Sequence, residues 1–105
     1  MDVAGFDWDR GNRTKCQKHG VSIEAIESLF TRAVAILPDD AHSEQEQRFR
    51  AIGWTDENRA VFVVFTLRRQ GRNPDSDLLI RPISARYMHK KEIESYEKEN
   101  PNLHE

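Results

Sequence analysis

The sequence predicts an α+β fold: an antiparallel meander sheet of about four strands, with two helices before it, one after it, and the helices packed on one face. Three observations predict it. Apolar residues recur at three-to-four-residue intervals from Ile23 to Ala33; four apolar, β-branched or aromatic runs then follow between residues 33 and 84; a helical pattern resumes from Met88 to Lys98. The strands are joined mostly by short turns, which suit antiparallel pairing, whereas parallel strands need long crossovers.

Each element has a local reason. Phe6-Asp7-Trp8 alternates apolar and polar residues, as a short edge strand does, and Asp9 offers an N-cap carboxylate to a helix over residues 10–19. The inward face of that helix runs through Asn12, Cys16 and His19, and Gly20 suits a left-handed cap. Ser22 caps the second helix, whose apolar stripe is Ile23, Ile26, Leu29, Phe30 and Ala33, with Val21 and Ile26 stapled across the cap. A first strand over 33–37 is stopped by Pro38-Asp39-Asp40, and a second covers 47–54. The run Val61-Phe62-Val63-Val64-Phe65-Thr66-Leu67 has the strongest β character and is expected at the centre of the sheet. A polar loop over 68–77 leads to a strand from Leu78 to about Ser84, in which Pro82 demands an edge or a bulge because it lacks a donor. The last helix turns Met88, Ile93 and Tyr96 inward, pairs Lys90 with Glu94 and Glu94 with Lys98, and stops before Pro101.

The chain has 105 residues, the length of one domain, read as 1–105 with a flexible tail from about 99. Hydrophobic residues make up 37% and charged ones 32%, and the clustering of the apolar residues argues for a folded protein. The N-terminus lacks the charged and apolar regions of a leader, and no apolar run approaches ~18 residues, so a soluble, cytoplasmic protein with no membrane partner is expected. Cys16 is the single cysteine, which excludes an internal disulfide and suits a reducing compartment.

Charge is the most informative feature for function. The net charge is −2, yet residues 81–91 contain Arg81, Arg86, Lys90 and Lys91 and no acid. A second acid-free stretch, residues 10–19, includes Lys18 and His19. Clustered cations beside tyrosine and histidine suit phosphate groups.

Several strings taken together resemble the BrnT family, bacterial toxins of type II toxin–antitoxin pairs: Phe6-Asp7-Trp8-Asp9, Lys18-His19-Gly20-Val21-Ser22, Asp40-Ala41-His42-Ser43-Glu44 leading to Arg48-Phe49, and Ile80-Arg81-Pro82-Ile83-Ser84-Ala85-Arg86. They occur in order across nearly the whole chain. The sequence departs from the commonest pattern of that family in having Arg10-Gly11-Asn12 where a proline and a lysine are usual. The resemblance implies a RelE-like fold and an endoribonuclease that inhibits translation. It also implies a partner antitoxin with a ribbon-helix-helix DNA-binding domain, through which alone DNA is contacted.

RNA cleavage without a metal requires a group to deprotonate the 2′-hydroxyl, cations for the charged phosphorane and an acid for the leaving oxygen. Arginine grips two phosphate oxygens at once, so Arg48, Arg81 and Arg86 are the candidate catalytic cations, with Arg68 in RNA binding. Each is open to the plainer reading of a solvated or ion-paired surface arginine. His19 serves equally as a proton-transfer group or as an imidazole on a helix-end carbonyl, and Tyr87 as a catalytic or base-stacking ring or as packing. Lys18, His89 and Lys90 are candidate RNA contacts. Tyr96 is expected in the core, His42 in an ion pair with Asp39, Asp40 or Glu44, and His104 in the tail. Cofactors are not expected: no metal-ligand spacing, Gly-rich phosphate loop or nucleophile motif is present. No side chain declares itself as the general base. The competing class is a non-catalytic protein whose basic surface binds an acidic peptide or RNA. A transcription factor is disfavoured because no helix carries a run of basic and amide side chains.

Overall fold

A computed structural model describes residues 3–42, 45–73 and 75–103. The element order is β1 (Gly5–Phe6), α1 (Arg10–Cys16), α2 (Ile23–Leu29), β2 (Val34–Pro38), a 3-10 turn (Asp40–His42), β3 (Phe49–Trp54), β4 (Ala60–Arg69), β5 (Leu78–Tyr87) and α3 (Lys90–Glu99). The strands form one open sheet in the order β1-β5-β4-β3-β2. From β2 to β5 it is the expected antiparallel meander, with the 61–67 run inside its central strand. The sheet nevertheless has five strands, and the fifth is parallel: Gly5 and Phe6 pair with Leu79 and Ile80. Local alternation near residue 6 marked a strand but carried no information about a partner more than seventy residues away.

The helices do not share a face. Residues alternate sides along a strand. Val61, Val63 and Phe65 accordingly pack with Cys16, Ile26 and Leu29 of the first two helices, while Ala60 and Phe62 point the other way, towards Ile93 and Tyr96 of α3. The expectation of one helical face is corrected: both faces of the sheet are apolar enough to need a cover. Leu103 is 5% exposed within the second cluster, so the tail expected from about residue 99 is packed as far as this residue. His104, the Ser43-Glu44 pair and the side chain of His42 lie outside the described residues.

The caps follow the sequence closely. The Ser22 hydroxyl accepts from the Ala25 N–H at 3.0 Å, and Asp9 accepts from the Asn12 N–H at 3.0 Å. Helix α1 ends at Cys16, three residues short of the predicted end, and Gly20 with φ 87° turns the chain after it. Gly53 is required for packing rather than for φ: a Cβ there would lie 3.0 Å from the Ala33 carbonyl oxygen, where β2 and α2 close on β3.

Strand β5 runs three residues beyond its predicted end because Ala85, Arg86 and Tyr87 continue to pair with Val63, Phe62 and Val61. Pro82 lies at a bulge, as its missing donor demands: Val64 opposes Ser84 and Phe65 opposes Pro82, leaving Ile83 unopposed. Strand β1 has ended by this point. Asn12 takes its place, its Nδ2 donating to the carbonyls of Pro82 and Asp7, both at 2.9 Å, while its Oδ1 accepts from the Asp9 N–H at 2.7 Å. Asn12 is only 6% exposed, so Asn12→Ala strands buried backbone groups. A loss of ~1–3 kcal/mol is expected, read as a melting temperature lower by roughly 10 °C. An unchanged melting temperature would refute the bridging role.

Candidate functional site

The bulge of β5 and Gly11, Asn12 and Lys15 of α1 border a cavity of about 300 Å³. Its polar lining is mainly cationic: Lys15, Arg48, Arg68 and Arg81 line it together with Asn12 and Glu46. Four chain segments supply these side chains. Arg81 pairs across the sheet with Thr66, and Arg68 lies two residues further along β4, on the same face. The Thr66 hydroxyl donates to the Gln47 carbonyl at 2.8 Å, which ties the segment carrying Arg48 to β4. Lys15 comes from α1, held against β5 by Asn12.

Carboxylates orient the guanidinium groups. Arg68 Nη2 donates to Glu46 Oε1 at 3.0 Å. Arg81 Nη2 donates to Asp9 Oδ2 at 2.8 Å and its Nη1 lies 3.5 Å from Asp7. The Asn12 backbone N–H, and then Arg81, hold the Asp9 carboxyl below the usual carboxylate range. Burial opposes the charge of Arg81, but hydrogen bonding and charge from Asp9 and Asp7 more than offset this and raise its pKa. Removing Arg81 would therefore also disturb the start of α1.

The remaining predicted residues fall elsewhere along β5. Arg86 forms a two-pronged pair with Glu92, Nη1 to Oε1 at 2.9 Å and Nη2 to Oε2 at 2.8 Å, and its guanidinium lies 4.6 Å from the Phe62 ring centre. His19 is exposed beyond the end of α1 and not on an inward helix face, correcting that expectation. With Ser84 and Arg86 it lines a smaller cavity of about 100 Å³. Lys18 is exposed and borders none of these cavities. Tyr87 lies under the Arg59 guanidinium, 3.4 Å from its ring centre, and borders a third cavity of about 210 Å³ with Trp54, Met88 and Lys90. His89 caps α3, its backbone N–H donating to Glu92 at 3.3 Å. Tyr96, expected in the core, is half-buried and packs against the core cluster on the α3 side of the sheet.

Arg48, Arg68 and Arg81 are thus brought together, whereas Arg86 with His19, and Tyr87 with Lys90, occupy separate places. Sequence reasoning missed three charged residues of these sites. Lys15 stands within the acid-free stretch, three residues after Asn12; Glu46 stands two before Arg48; Arg59 closes a turn and gives no signal.

The Arg86 pair makes a prediction about acid stability. Its hydrogen bond is the main reason that the Glu92 carboxyl is held below its ordinary range. A depressed folded-state pKa contributes stability above the unfolded pKa, and that contribution disappears as pH falls through the folded one. The melting-temperature gap between the natural protein and Glu92→Gln should be open at neutral pH and close below about pH 4. A gap independent of pH would exclude this linkage.

The sequence model of the family described as "Ribonuclease toxin, BrnT, of type II toxin-antitoxin system" matches residues 8–92. The chain belongs to the BrnT family. The BrnT match includes every charged residue of the 300 Å³ cavity and ends at Glu92, the partner of Arg86. No curated protein matches the chain. Among the described residues of this BrnT toxin, no helix is long and apolar enough to cross a membrane, and no three His, Cys, Asp or Glu side chains gather as metal ligands would.

Proposed function

We propose that this BrnT protein is an endoribonuclease that cleaves RNA in the cavity between α1 and the β5 bulge. The observation that carries the reading is that four cations from four segments line one cavity together with Glu46, in a chain of a ribonuclease toxin family. Arg48, Arg68, Arg81 and Lys15 hold the non-bridging oxygens of the scissile phosphate and offset the charge that grows on the phosphorane. Glu46 accepts the proton of the 2′-hydroxyl. The 2′-oxygen then bonds to phosphorus and the bond from phosphorus to the 5′-oxygen breaks, giving a 2′,3′-cyclic phosphate. The leaving oxygen takes a proton from Lys15 or from water. His19 and Arg86, next along β5, contact the adjoining part of the RNA.

RNA cleavage of this kind inhibits translation. The cognate antitoxin, with its ribbon-helix-helix DNA-binding domain, neutralises the toxin by presenting acidic side chains to the same cations. The antiparallel β2–β5 meander preceded by two helices supports a RelE-like relationship. The chemistry draws only on side chains, so cleavage of RNA by the purified protein should persist in EDTA.

Arg68 is the cleaner probe, because it is exposed and its surface pair with Glu46 contributes at most about 1 kcal/mol to stability. Arg68→Ala should lower kcat/KM by roughly 10²-fold with an unaltered melting temperature. RNA left intact at saturating protein would overturn the assignment. Expression of the chain alone should halt growth, and co-expression of the antitoxin should restore it. A non-catalytic protein that binds RNA or an acidic peptide would instead leave RNA whole and growth normal.

A further inference from the structure

Resting on the ribonuclease reading, we infer that β5 carries a track for single-stranded RNA, running from the phosphate cavity to a nucleobase site formed by Arg59, Tyr87 and Trp54. The three cavities are lined by successive residues of this one strand: Arg81, Pro82 and Ile83; then Ser84, Ala85 and Arg86; then Tyr87, followed by Met88. Strand β1 pairs only with Leu79 and Ile80, so among the described residues no strand covers the edge of β5 beyond them, and Asn12 of α1 meets it at Pro82. From Arg81 to Tyr87 the strand advances about 20 Å. That length matches about four nucleotides, the lower end of single-strand site sizes.

The chemistry changes along the track in the way an RNA strand requires. The first cavity is ringed by cations, and the second is flanked by His19 and Arg86. The third has an apolar wall of Trp54, Ala60, Met88 and Ile93, with Arg59 and Lys90 as its cations. A run of acidic residues would satisfy the first two sites but offers no flat apolar group for the third. A nucleotide offers both a phosphate and an aromatic face.

Arg59 supplies the stacking plane. Its guanidinium lies on one face of Tyr87, and the residue is exposed, so a base can stack on the outer face of the guanidinium with Tyr87 behind it. Bases paired in an A-form duplex are not available for such stacking, which selects single strands, loops and bulges.

The test uses fluorescein-labelled 2′-O-methyl oligonucleotides, which have no free 2′-hydroxyl and cannot be cleaved, in lengths from about two to about eight nucleotides. Anisotropy titrations should show affinity rising up to about four nucleotides and levelling off. Arg59→Ala should weaken binding of the longer oligonucleotides by ~10-fold or more and leave the dinucleotide unchanged. Arg59→Lys, which keeps the charge but loses the flat plane, should bind as weakly as Arg59→Ala. Full rescue by lysine, or an equal loss at every length, would overturn the base site in favour of simple charge attraction. Equal dependence on Arg59 for a poly-glutamate peptide would reassign the track to a protein partner. The oligonucleotides cannot react, so binding without cleavage of ordinary RNA would refute the ribonuclease reading alone.

Discussion

Glu46→Gln is expected to lower kcat for RNA cleavage by about 10²- to 10⁴-fold, the contribution of a positioned general base. Glutamine has the same shape and its carbonyl still accepts from Arg68, now 3.0 Å from Glu46, so the cavity keeps its form while losing its proton acceptor. KM should not rise, because the substitution removes a negative charge from the proposed phosphate site. A kcat within a few-fold of the natural value would eliminate Glu46 as the base and leave the arginine cluster as a binding site.

Phe65→Ala should be the most damaging substitution for stability. Phe65 is 0% exposed, with ring centres of Phe30 at 5.3 Å and Phe49 at 5.5 Å. Truncating a buried phenylalanine costs ~3–5 kcal/mol, and the two lost ring contacts place this site towards the upper end. That is a large share of the ~5–15 kcal/mol that holds a typical domain together. Thermal unfolding should begin roughly 15–30 °C lower. The effect should reach the cavity as well, since Phe65 pairs with Pro82 across the bulge that borders Arg81. Phe65→Leu should recover most of the stability; a small effect of Phe65→Ala would mean that the α1 and α2 face of the core collapses readily around the gap.

Cys16 illustrates how little of a residue's chemistry its identity conveys. In the sequence it stands among cations beside a candidate histidine; in the fold it is fully buried, and burial pushes its thiol up to about 11. At neutral pH it is a protonated, enclosed core side chain that does not line the cavity.

Local rules account for the elements. Ser22 and Asp9 cap helices because a side-chain oxygen close to a free backbone N–H needs no distant partner, and residues 61–67 form a strand because β-branched and aromatic side chains suit a pleated surface with apolar neighbours on both sides. The bulge at Pro82 is similarly written into a missing donor. The arginines of the site were also visible as types and as a charged segment.

Their grouping was not. Strand pairing put Arg81 opposite Thr66 and Arg68 beside it, the Asn12 bridge brought Lys15 to the bulge, and the extension of β5 to Tyr87 carried the aromatic end about 20 Å from Arg81. Periodicity within a segment reports which side of that segment is apolar. It does not report which of two apolar sheet faces a helix will cover, or which edge a two-residue strand will join. Those choices depend on contacts between residues far apart in the chain, and they turned one basic stretch into three separate sites along a single strand.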